Sequence, residues 1–178
     1  MSLFKCTVKT ENSWERRKMR IKIGDKIPSV TFKHLGPDGM EDISTKDLFD
    51  GKKIVLFAVP GAFTPTCSTK HVPGFLQYAA EIREKGVDTI VCLSVNDPFV
   101  MDAWGKDRGT GDDILMLGDG NGDFTRAIDL GLDGSGFGLG SRSQRYAMIV
   151  ENGTVAALEV EDGPGLSVSS AENIVSKL

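Results

Sequence analysis

The sequence predicts one α/β domain built on a central mixed sheet flanked by helices. Three observations carry this reading. The apolar run at residues 54–59, bounded by Lys52-Lys53 before and Pro60-Gly61 after, reads as a strand buried on both faces, and such strands belong to sheets covered by helices. A helical pattern and a second apolar stretch at residues 89–95 follow, giving a strand, helix, strand unit whose right-handed crossover makes the two strands parallel. Residues 146–150, a turn at Asn152-Gly153 and residues 155–160 form the strongest hairpin signal in the chain and add antiparallel strands.

Taken in order, residues 1–22 read as an N-terminal extension and residues 23–178 as the domain. Gly24-Asp25-Lys26 lead into residues 27–32, an alternating stretch that reads as an edge strand because Pro28 has no N–H for a ladder. Residues 67–85 are predicted helical, with Phe75, Leu76, Ala79 and Ile82 near one stripe and Gly86 as the stop; Pro73 either kinks this helix or marks a fresh start. A helix over 98–106 capped by Asn96 or Asp97, a short strand at 114–117 and a helix over 124–130 come next. Ser169 followed by Glu172 is a capping-box spacing that opens a C-terminal helix. The glycine-rich stretch at 131–140 does not fit a phosphate-binding GxGxxG after a strand and reads as a flexible loop.

Composition narrows the function. With 178 residues the chain fits one hydrophobic core, and 40% hydrophobic with 26% charged residues is ordinary for a water-soluble domain. No run approaches the roughly 18 apolar residues of a membrane span. A net charge of -4 argues against a nucleic-acid surface. The three cysteines, Cys6, Cys67 and Cys92, form neither a CxxC pair nor an even-numbered disulfide framework, so a reducing compartment is expected. Residues 1–22 carry a basic excess, including Arg16, Arg17 and Lys18, without the apolar core of a secretory signal. Cytosol is the expected location; an organellar one, such as mitochondrial, is the alternative, although Glu11 and Glu15 are unlike a transit peptide. His34 and His71 stand far apart without a further ligand at metal spacing, so no metal is expected, and no cofactor either.

Cys67 lies just after a buried strand and a proline-punctuated loop, and just before a helix. Free backbone N–H groups and the helix dipole favour an anion there, which suits a nucleophilic thiolate. The alternative is a small buried hydrophobe. Attack on a peroxide bond further needs a hydroxyl beside the sulfur and a fixed positive charge for the departing oxygen. Thr64 can supply the first; Arg145, at the start of the hairpin strand, is the candidate for the second, with Arg142 the alternate.

The segment Pro60-Gly61-Ala62-Phe63-Thr64-Pro65-Thr66-Cys67-Ser68 resembles the active-site motif of peroxiredoxins, whose core is Pro-x-x-x-Thr-x-x-Cys, and its fuller spelling resembles the peroxiredoxin-5 or type II subgroup. The likeness continues through Lys70-His71-Val72-Pro73-Gly74-Phe75, residues 92–100 and Trp104-Gly105. It implies a thioredoxin-like fold and a thiol peroxidase acting on hydrogen peroxide and alkyl hydroperoxides. Cys67 matches the peroxidatic cysteine, Thr64 the hydroxyl bonding sulfur and peroxide, Pro60 the residue shielding the thiolate and Arg145 the activating arginine. The likeness also implies a homodimer, with Phe63 at its face.

Some relatives resolve the sulfenic acid with a cysteine near the C-terminus, where this chain has Val168. Cys92 matches a second cysteine of type II members but lies in an apolar strand, which reads as a packing thiol. One-cysteine behaviour is therefore expected, with glutathione and glutaredoxin, or thioredoxin, restoring the thiol. Two other functions compete. A disulfide oxidoreductase wants a second thiol three positions after Cys67, where Lys70 stands. A non-catalytic redox sensor would oxidise without turnover.

Overall fold

The computed structural model describes residues 19–178. The first half contains β1 (Thr31–Gly36), β2 (Gly39–Ser44), α1 (Thr45–Phe49), β3 (Lys53–Val59), α2 (Val72–Glu84), β4 (Thr89–Ser94) and α3 (Pro98–Arg108). The second contains β5 (Leu115–Gly118), α4 (Asp123–Ala127), β6 (Gly131–Asp133), β7 (Ser141–Ser143), β8 (Tyr146–Glu151), β9 (Thr154–Val160) and α5 (Ala171–Val175). Seven strands form one sheet in the order β2-β1-β5-β4-β3-β8-β9. β3, β4 and β5 are parallel, while β8 runs antiparallel to β3 and β9 to β8. This is the thioredoxin-like arrangement expected, a mixed sheet with helices on its faces.

The strand at residues 53–59 explains the layering. Because side chains alternate across a strand, Val55, Phe57 and Val59 pack toward α2 and α3 against Phe75, Ile82 and Trp104. Ile54, Leu56 and Ala58 point the other way, against Phe32, Phe49 and Phe124. Both faces are covered, so the run is apolar throughout rather than alternating. The β8–β9 hairpin turns at Asn152 and Gly153, both at positive φ (46° and 71°), as that tight turn requires. Asp97 caps α3 by accepting from Val100 N–H at 3.0 Å, which settles the choice between Asn96 and Asp97.

Four expectations need correction. The strand placed at 27–32 begins at Thr31 and is not at the edge; β2 covers it, pairing Thr31 with Ser44 through Gly36 with Gly39. β2 was not expected because its Met40, Glu41 and Asp42 are exposed and polar patterning hides an edge strand. The glycine-rich stretch is ordered as the β6–β7 ribbon, held by Gly134 N–H on Gly140 O. Ser170, not Ser169, caps α5 by accepting from Asn173 N–H; Ser169 is engaged by Glu161 instead. The helix over 124–130 is only the short α4. Ile21 is already buried, with its N–H on Ile128 O, while Cys6 and most of the basic segment lie outside the described residues.

Candidate active site

Strand β3 ends at Val59 and the chain leaves the sheet through Pro60–Thr66 to reach Cys67. The loop is fastened to the neighbouring strand: Asn96 Oδ1 accepts from Ala62 N–H at 3.0 Å and from Ser94 Oγ at 2.7 Å. Phe63 adopts φ 61°, a left-handed conformation that costs a bulky residue energy, and its ring stands 54% exposed. Cys67 opens a π-helical turn, Cys67–His71, in which Val72 N–H bonds back to Cys67 O. Pro73 cannot continue a regular helix across Thr69, and this widened turn is where the chain absorbs it before α2 begins. Of the two alternatives at Pro73, a kink or a fresh start, the structure has no fresh start: the helical run continues unbroken from residue 65 to 84 and accommodates Pro73 through the widened turn.

Two groups converge on the sulfur. Thr64 Oγ1 lies 2.8 Å from Cys67 Sγ and equally 2.8 Å from Gly61 O. Its single proton can go to only one of them. With a thiol, Thr64 donates to Gly61 O and accepts from S–H; with a thiolate, it turns its proton to sulfur. Arg145 Nη1 lies 3.4 Å from Sγ, brought there by its place just before β8. Both Cys67 and Arg145 are buried, and Arg145 Nε has no hydrogen-bond partner among the described residues.

Arg142, the alternate, is not on the sulfur. Its Nε donates to Leu139 O at 2.8 Å and its Nη1 to Val95 O at 3.0 Å, tying the β6–β7 ribbon to the loop after β4. Pro60 is half-buried directly after β3. From the other side α3 holds the turn: Trp104 Nε1 donates to Ser68 Oγ at 3.1 Å and Arg108 Nη1 to Ser68 O at 3.4 Å. Trp104 is fully buried, whereas Phe99 is exposed.

His71 is the site residue whose part the sequence did not disclose. Its Nδ1 lies 3.1 Å from Arg145 Nη1 and its Nε2 lies 3.0 Å from Ser169 O. A guanidinium only donates and a carbonyl only accepts, so His71 is neutral with its proton on Nε2. Burial, reinforced by the Arg145 charge, pushes its pKa down to about 3. The signals in the sequence were its position four residues after Cys67 and its place in the likeness through Lys70-His71-Val72-Pro73-Gly74-Phe75. Cys92, on the central strand β4, is fully buried in the same apolar cluster as Cys67, and burial first, then the Cys67 charge, pushes its thiol pKa well up. Among the described residues no three metal-ligating side chains cluster.

The redoxin family model matches residues 22–175. Chloroplastic peroxiredoxin-2E of Arabidopsis thaliana is 49% identical, the match covering 89% of this chain and 69% of that protein. Reduced Prx3 of Vibrio vulnificus in complex with hydrogen peroxide superposes with a TM-score of 0.85 at 50% identity, over 88% of this chain and 98% of that one. Peroxiredoxin 5 of Alvinella pompejana superposes with a TM-score of 0.78 at 36% identity, over 88% and 97%.

Proposed function

The chain belongs to the peroxiredoxins of the redoxin family and is a thiol-dependent peroxidase, and from that premise we propose that Cys67 is its peroxide-attacking nucleophile, working with Thr64, Arg145 and Pro60. The observation that carries the assignment is the placing of Cys67 Sγ between Thr64 Oγ1 and Arg145 Nη1 at 2.8 and 3.4 Å.

The Cys67 thiolate attacks one peroxide oxygen, forming S–O as O–O breaks. The sulfur is oxidised by two electrons to a sulfenic acid, and the other oxygen leaves with a proton as water or an alcohol. Thr64 orients sulfur and peroxide through its hydroxyl. Arg145 neutralises the charge that moves from sulfur to the leaving oxygen, with its Nε–H, which has no partner among the described residues, as a further donor. Pro60 screens the thiolate from water at the head of the loop. The buried position of Cys67 suits a small oxidant, hydrogen peroxide or the hydroperoxide end of an alkyl chain.

Recycling follows a one-cysteine course in this reading. Val168 occupies the place of the C-terminal resolving cysteine, and Cys92 sits in the middle of the sheet with its thiol held protonated. An external thiol, from glutathione with glutaredoxin or from thioredoxin, condenses with the sulfenic acid, releasing water; a second thiol then frees Cys67. The exposed Phe63 and Phe99 rings provide an apolar face for a homodimer. A domain of residues 23–178 behind an extension of 1–22, in a reducing compartment with cytosol first and an organelle second, completes the reading. Among the described residues no helix is long and apolar enough to cross a membrane.

Steady-state peroxide turnover with each reductant, in wild type and Cys92→Ser, tests this. Turnover that survives the substitution supports external recycling; loss of turnover in the variant alone would assign resolution to Cys92. Oxidation without turnover by either reductant would favour the redox-sensor reading.

A further inference from the structure

A closed circuit of hydrogen bonds runs from the protein surface to the sulfur's arginine. Glu161, at the end of β9, donates its backbone N–H to Arg145 O at 3.0 Å. Its Oε1 accepts from Ser167 N–H (2.7 Å), Ser169 N–H (2.9 Å) and Ser169 Oγ (2.8 Å), and its Oε2 accepts from Ser167 Oγ at 2.9 Å. Ser169, thus clasped and fully buried, offers its carbonyl to His71 Nε2–H, and His71 Nδ1 accepts from Arg145. The circuit begins and ends on Arg145.

Each link has one arrangement. The His71 ring packs at a tilt against the stacked rings of Phe57 and Phe75, at centroid distances of 4.9 and 5.5 Å, which limits its movement. Its tautomer is set by the Ser169 carbonyl, and that tautomer leaves a lone pair for Arg145. Were the carbonyl to move away, the ring proton would be free to shift to Nδ1, where it would face an N–H of the guanidinium and repel it. The carbonyl is held in turn by how residues 161–169 fold back, through a stretch containing Gly163, Pro164 and Gly165 that has no regular structure of its own, and by the α5 cap that follows at Ser170. Burial opposes the charge on Glu161, yet the bonds from Ser167 and Ser169 outweigh it and hold its carboxyl below the usual range.

We propose that Glu161 and Ser169 are positioning residues for peroxide reduction, acting through His71 to hold the Arg145 guanidinium against Cys67. This rests on the assignment of Cys67 and Arg145 made above. It makes the 161–169 loop, some way from the reacting atoms, a determinant of reactivity at the sulfur.

The test is a double-mutant cycle on the second-order rate of peroxide with reduced protein, using Glu161→Ala, Glu161→Gln and His71→Asn. Glu161→Ala slows the reaction at least about tenfold, since displacements on the order of 1 Å at a reacting centre can cost about 100-fold. Glu161→Gln, whose amide oxygen still accepts from Ser167 and Ser169, recovers most of the rate. In the His71→Asn background Glu161→Ala adds little; effects that simply multiply would overturn the proposal. Should His71→Asn not fold, ¹⁵N-histidine spectra decide: the wild type shows the Nε2–H tautomer alone and Glu161→Ala a mixture, whereas an unchanged tautomer contradicts the circuit. An Arg145→Lys protein as fast as wild type would instead sink the underlying assignment.

Discussion

Arg145 bridges Cys67 and His71, its Nη1 standing 3.4 Å from the sulfur and 3.1 Å from the imidazole Nδ1. One planar donor thus serves the reacting atom and its own support. Lysine, a single charge on a flexible stem, cannot reproduce both contacts. Arg145→Lys is expected to lower the rate constant for peroxide by about 100-fold or more, the usual range for loss of a donor to a developing anion. Stopped-flow oxidation followed by Trp104 emission measures it, because Trp104 Nε1 is bonded to Ser68 beside the cysteine.

The Thr64 hydroxyl separates chemistry from packing. Thr64→Val keeps the shape but removes the contact at 2.8 Å from Sγ, and is expected to react about 100-fold more slowly with peroxide. Thr64→Ser retains the hydroxyl and should stay within about tenfold of wild type. The same stopped-flow measurement compares them.

His71 makes stability depend on acid. Its pKa is about 3 when folded against 6.5 ordinarily, so between those values the unfolded chain takes up a proton that the folded chain refuses. Stability from the neutral imidazole is complete above about 6.5 and is lost as pH falls toward about 3. Between pH 7 and pH 5 this amounts to about 2 kcal/mol. Urea midpoints at the two pH values should fall more for wild type than for His71→Gln; equal falls would contradict the buried neutral imidazole.

Cys92 tests packing against chemistry. Serine there puts a hydroxyl into an apolar cluster, at a cost of about 1–3 kcal/mol, while Cys92→Ala loses less. Peroxide rates at Cys67 should change less than about twofold in both. Denaturant unfolding and stopped-flow oxidation report the two effects separately.

Much of this was legible in the sequence where one residue pattern had one physical reading. The run at 54–59 forced a doubly covered strand, and Asn152-Gly153 forced the hairpin that carries Arg145. Thr64 and Cys67 are near in sequence, so their contact needed only a turn. Arg145 meets Cys67 across 78 positions; its place at the start of the hairpin strand made it a candidate beside Arg142, and the resemblance of the flanking strand favoured it. The circuit through His71, Ser169 and Glu161 left no trace, because serine and glutamate in a Gly-Pro-Gly loop read as solvated surface until folding brings them together. β2 was hidden for a related reason: an edge strand with polar outward residues lacks the apolar signature of a core strand.

The most direct test of the assignment is rapid mixing of reduced protein with one equivalent of hydrogen peroxide, followed by intact-mass analysis of wild type, Cys67→Ser and Cys92→Ser. Wild type and Cys92→Ser should each gain one oxygen atom, located at Cys67, while Cys67→Ser gains none. A disulfide between Cys67 and Cys92 would contradict the one-cysteine course, and oxidation indifferent to Cys67 would contradict its role as the nucleophile.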